Sequence, residues 1–139
     1  MNESKCKLFV AAFSALPDGC KYDAATEAEL EGFESTFGTI PDDFRWFLIH
    51  CGGGTVGREW VDGIDELPNT HRKFIEESKS AHGWTMDGVF VIGWDGAGNP
   101  FGIEKVTGRI LVEDHNFGRI YEMSPSFEAL LERGLLSNK

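Results

Sequence analysis

Apolar residues recur along the chain first at helical spacing and later in continuous runs, and that change of period divides the sequence. Lys5 to Leu16 is apolar enough for a first helix, which Pro17-Asp18-Gly19 ends. Thr26-Glu27-Ala28-Glu29 carries a capping-box signature, and Leu30, Phe33 and Phe37 follow at helical spacing. A second helix is therefore predicted over Glu27 to Phe37, with Gly38 as its stop. Pro41 sets the entry to a third, with Asp42 and Asp43 in the dipole-favoured first turn. Phe44, Phe47, Leu48 and Cys51 stand at i, i+3, i+4 and i+7, one buried stripe, and Gly52-Gly53-Gly54 stops it. A short strand is predicted over Arg58 to Val61. A fourth helix starts at Leu67-Pro68, with Leu67, His71, Phe74, Ile75 and Ser78 on its inner face.

From Val89 the pattern belongs to strands. Val89 to Trp94 is a β-branched and aromatic run. Returning strands are predicted at Phe101 to Glu104, Arg109 to Glu113 and Arg119 to Met123, joined by turns at Asp95–Asn99, Thr107-Gly108 and Asn116–Gly118. Ser124-Pro125 caps and starts a last helix, with Phe127, Leu130 and Leu131 facing inward. Connections this short require antiparallel neighbours, because parallel strands need long crossovers. The predicted class is α+β, an antiparallel sheet flanked by helices, in one domain over residues 1–139.

Composition narrows the function. Lys plus Arg is 13 against 23 Asp plus Glu, a net charge of −10. Such a surface disfavours nucleic acid and anionic membrane as partners, since phosphates need cationic neutralisation. Three cysteines without C-x-x-C spacing, Cys6, Cys20 and Cys51, suit a reduced cytoplasmic protein better than a disulfide scaffold or zinc site. No stretch reaches the length of a membrane span.

The candidate chemical motifs each have a plainer reading. Gly52 to Gly57 spells G-x-G-x-x-G, but a helix precedes it, and Arg58-Glu59 stands where a phosphate loop needs Lys and Ser or Thr. Asp95-Gly96-Ala97-Gly98-Asn99 fails as a calcium loop, because Pro100 and Val106 occupy its later required positions. Asp114 and His115 are strand neighbours and point to opposite faces. No catalytic residue, metal site or cofactor is predicted, and the chain reads as a non-enzyme.

Charge placement is more informative. Between Met1 and Thr70 there are 13 acids and 5 bases, so that half holds −8 of the total. Glu27, Glu31 and Glu34 form an acidic stripe at i, i+4 and i+7 on the second helix. Like charges at that spacing cost a helix roughly 0.2–0.5 kcal/mol per pair. The sequence shows no folding return for that cost, whereas a cationic partner offsets it. Trp46 lies off the buried stripe of the third helix, either as an interface anchor or covered by the first helix. Trp60 is equally open.

Three stretches carry a family resemblance: Ile40 to Leu48 with Cys51-Gly52-Gly53-Gly54; Val91 to Asn99; and Gly108 to His115 followed by Ser126 to Leu131. With them the chain resembles the SUKH superfamily of Smi- and Knr-like domains, most strongly over residues 40–131. It departs at Cys51, where Asn often precedes the glycines, and at Trp94, where the turn is often more polar. The resemblance implies an α+β fold of antiparallel strands flanked by helices. It also implies a non-enzymatic protein-binding role, in bacterial members that of an immunity protein neutralising a toxin, often a nuclease. The expected partner is a cationic toxin domain, met by Glu27, Glu31, Glu34, Asp42, Asp43 and Trp46. The alternatives are a regulatory scaffold of the Smi/Knr type, or a small ligand-binding protein or enzyme that gathers Asp95, Asn99, Asp114 and His115 in one pocket.

Overall fold

A computed structural model describes residues 1–137, so the last two positions of the expected domain lie outside the described residues. The chain runs α1 (Glu3–Ser14), a 3-10 turn (Asp18–Cys20), α2 (Glu27–Phe37), α3 (Asp42–His50), β1 (Gly54–Val56), β2 (Glu59–Val61) and α4 (Leu67–Ser78). It continues as β3 (Val89–Trp94), β4 (Pro100–Glu104), β5 (Ile110–Asp114), β6 (Arg119–Ser124) and α5 (Phe127–Leu131), which widens into a π-type turn over Glu132–Leu136. Strands β3-β4-β5-β6 form an antiparallel meander in that order, and β1 and β2 form a separate antiparallel hairpin. This is the α+β architecture expected from the change of period.

Local chemistry sets most element ends. Thr26 Oγ1 accepts from Glu29 N at 3.1 Å while Glu29 Oε1 accepts from Thr26 N at 2.9 Å, a closed capping box at the predicted α2 start. Asn2 caps α1, which starts at Glu3, two residues before the predicted Lys5, and its Oδ1 accepts from Lys5 N. The last helix is capped by Ser126, whose Oγ accepts from Ala129 N at 3.0 Å, and not by Ser124. Ser124 ends β6 and donates its hydroxyl to Ser126 O.

Ile75 also departs from expectation and is exposed. The inner face of α4 follows Leu67, Thr70, His71, Phe74 and Ser78, and a buried threonine sits on it where a hydrophobic count looks for another apolar residue.

One core lies between the helices and the inner face of the meander. Phe9 and Phe13 of α1, Leu30 and Phe33 of α2, and Phe44, Phe47 and Leu48 of α3 meet Phe90, Ile92, Phe101, Ile103, Ile110 and Val112 of the sheet. Phe44, Phe47 and Phe127 stack edge and face with centroids 5.4–6.2 Å apart. The sheet's other face buries Val91 and Leu111, with Met86 also buried. The segment before β3 is strapped there by Glu113, whose carboxylate accepts from Thr85 N, Thr85 Oγ1 and Met86 N.

The triple glycine does more than stop a helix. Gly54 opens β1, a strand hidden from pattern analysis because it is three residues long and begins with glycine. A Cβ on Gly54 would lie 2.3 Å from Cys20 O, and one on Gly53 would lie 2.7 Å from Gly63 Cα. Both glycines have positive φ, so no other residue fits this crossing of three chain segments.

Candidate protein interface

The acidic stripe of α2 faces α3. Arg45 grips Glu27 with both arms, Nη2 to Oε1 at 2.9 Å and Nη1 to Oε2 at 3.3 Å, and its Nη2 lies 3.6 Å from Glu34 Oε1. The hydrogen bond to Glu27 holds the guanidinium pKa above its ordinary value. Glu34 has a second task, since its Oε2 accepts from Ile40 N at 2.9 Å and ties down the α2–α3 connection. Two of the three stripe carboxylates therefore serve folding, a return that the sequence did not show. The third, Glu31, is exposed, and so is Asp42, one turn before Arg45 on the same side of α3. Among the described residues no ion pair reaches either. Asp43 is half-buried, 4.0 Å from the amino group of Met1. Asp42 and Asp43 also rim a cleft of about 570 Å³ that Ile40, Ile103, Lys105 and Phe127 help to line.

Trp46 is half-buried. Its ring meets Phe9 of α1 edge-on at 6.5 Å and tilts over His50 at 5.1 Å. The first helix covers part of it, and Asp42 and Asp43 stand one turn before it on α3.

The hairpin holds a second aromatic site. Trp60 is 44% exposed on β2, between half-buried Glu59 and buried Val61, and Tyr22 lies beside it, 36% exposed, with ring centroids 6.1 Å apart. Tyr22 is fixed through its amide, which donates to Gly53 O at 2.8 Å. Strand alternation points Trp60 outward, a signal present in the sequence. Tyr22 sits in a coil segment, and nothing in its neighbours' spacing announces the pairing.

Asp62 follows β2 and is largely buried. Its Oδ2 accepts from Thr70 Oγ1, which in turn accepts from Trp94 Nε1 at 3.2 Å. Burial pushes the carboxyl up to about 7; the Thr70 hydrogen bond opposes that and nearby Glu66 adds to it.

The alternative ligand pocket separates into two structural devices. Asp95 Oδ1 accepts from the amides of Ala97 and Asn99, and its Oδ2 accepts from Asn99 Nδ2. Asn99 is 2% exposed, and its Oδ1 accepts from His115 N and contacts His115 Nδ1. Asp114 stands apart and closes its own turn by accepting from Asn116 N at 2.8 Å. The polar groups of Asp95 are thus spent inside the turn, and those of Asn99 on Asp95 and on His115 just after β5. Cys51 is buried, and desolvation raises its thiol to about 12, far from a reactive thiolate.

Among the described residues no helix is long and apolar enough to cross a membrane, and no three His, Cys, Asp or Glu side chains gather in a way that could hold a metal ion. A family model described as the SMI1 / KNR4 family (SUKH-1) matches residues 24–133. No curated protein matches the chain.

Proposed function

We propose, since the chain belongs to the SMI1 / KNR4 family (SUKH-1), that it is a non-enzymatic protein-binding module of the immunity kind, which neutralises a cationic toxin domain by covering its working surface. The observation that carries this reading is the flank of α2 and α3. Arg45 pairs with Glu27 and Glu34, while Glu31 and Asp42 are exposed with no ion pair among the described residues, so the flank keeps negative charge after its internal pairing, with Lys105 the cation lining the cleft that Asp42 rims. Carboxylates fixed this way on two helices, with Trp46 beside them, are preorganised to steer a basic protein into contact. Glu27 and Glu34 hold the helices in place, which leaves Glu31 and Asp42 as the residues free to meet a partner.

A toxin with a basic domain is expected to be encoded beside this chain's gene; the test takes that domain and follows binding by stopped flow, and a gene neighbourhood without one counts against the reading. Reversing Glu31 and Asp42 to Lys is expected to slow association roughly tenfold at low salt, with a modest loss of thermal stability that comes from Asp42, because a cation replaces an anion in the first turn of α3. Raising ionic strength from about 0.05 M to about 0.5 M should slow the unaltered chain in the same direction. Association indifferent to salt and to both reversals would overturn the reading.

A further inference from the structure

The four tryptophans divide by what they touch. Trp84 donates Nε1–H to Glu77 at 2.9 Å. Trp94 donates to Thr70 and carries the Lys73 ammonium 4.4 Å above its ring. Trp46 lies between Phe9 and His50. Trp60 has Tyr22 as its ring neighbour and is the tryptophan among the exposed large hydrophobic residues. Across the ladder it pairs with Thr55, whose Oγ1 is buried without a hydrogen-bond partner.

This open pair sits on a stiff base and beside negative charge. Gly53 and Gly63 pack backbone to backbone beside Tyr22, whose amide is also bonded to Gly53 O, so the backbone that carries the tyrosine is fixed. Gly63 N donates to Glu66 Oε1 at 3.1 Å, and a Cβ on Gly63 would lie 3.0 Å from both that oxygen and Tyr22 Cβ. Gly63 thus has the Glu66 carboxylate and the Tyr22 side chain as close neighbours. Asp62 stands one residue before Gly63, Asp23 is exposed next to Tyr22, and burial together with Glu66 and Asp62 raises the Tyr22 phenol pKa. Of the nearby cations, Lys21 is turned away onto Ser14 O and Asp18, and Arg58 is exposed at the hairpin tip.

We propose that Tyr22, Trp60 and Glu66 form a docking point for an arginine side chain carried by the cationic protein partner. The guanidinium plane lies on the indole face while its N–H groups reach the Glu66 carboxylate. Arginine fits better than lysine because its flat cation stacks on a ring and keeps its donors in the plane. The occupant's being a protein rests on the function proposed above; the preference for arginine does not.

The experiment is an NMR titration of the indole N–H signals with the peptide acetyl-Gly-Arg-Gly-Arg-Gly-amide and with its lysine and citrulline counterparts. The spectrum of Trp60→Phe assigns the Trp60 signal. A saturable shift of that signal is expected with the arginine peptide, about threefold weaker binding with lysine, and none with citrulline. Glu66→Gln, whose amide oxygen can still accept from Gly63 N, should weaken binding at least threefold with an unchanged melting curve. A motionless Trp60 signal, or equal shifts with citrulline, would sink the proposal. So would unchanged affinity of the Trp60→Ala chain for the toxin domain. A motionless signal alongside salt-dependent toxin binding removes the docking point alone, and the converse removes the steering flank alone.

Discussion

Asp62 couples the stability of this protein to pH near neutrality. Its folded pKa of about 7 lies above the ordinary 3.8, so the folded chain binds an extra proton between those values. Stability therefore falls as pH rises from about 4 to about 7 and levels off above, by at most about 4 kcal/mol. His71 works in the opposite direction. Its Nε2–H donates to Val91 O at 2.8 Å, and burial lowers its pKa, so charging it in mild acid costs stability. Asp62→Asn separates the two, since the amide oxygen still accepts from Thr70. The variant is expected to melt above the parent at pH 8 and by a much smaller margin at pH 5, as read by calorimetry. An equal margin at both pH values would remove Asp62 as the source.

Elements whose ends rest on local chemistry were legible, and those that rest on distant contacts were not. Thr26 and Glu29 announce α2 because both halves of the capping box lie within four residues. Arg45 reaches Glu27 across 18 positions, so the acidic stripe looked like cost without return until the helices were seen to face each other. The glycines after α3 read as a stop, and that reading missed their closeness to Cys20 and Gly63. The interface shows the same limit: the sequence leaves Trp60 open between burial and exposure although strand alternation beside Val61 carries the outward signal, and Tyr22 and Glu66 join it only through the fold. The glycines give a clean contrast. Gly54→Ala must push its Cβ into Cys20 O at a positive φ and should cost about 2–4 kcal/mol. Gly32→Ala, in the middle of α2 with no atom within 4 Å of the new methyl, should stabilise by about 0.5–1 kcal/mol. Urea denaturation of the two variants checks both signs.

At the scale of the whole molecule, the acidic half and the sheet do different work. The helices and hairpin of the first 70 residues carry most of the negative charge and both aromatic sites, while the meander supplies the floor on which they stand. β6 has β5 as its one neighbour among the described residues, and its register slips beside Met123. That bulge, with Arg119 and Glu122 along the strand, discourages another strand from pairing there. The helix that closes the core lies outside the stretch that matches the family. α1 ends ten residues before Ala24, yet Phe9 and Phe13 are buried against Trp46 and Phe47, and Lys5 binds Glu128 at 2.7 Å and Glu132 at 3.0 Å. Kinship and self-sufficiency thus have different borders in this chain. A fragment trimmed to begin at Ala24 is expected to bind hydrophobic dye and lose its sharp melting transition, because the trimming strips a wall from the building and leaves two phenylalanine-sized openings to water.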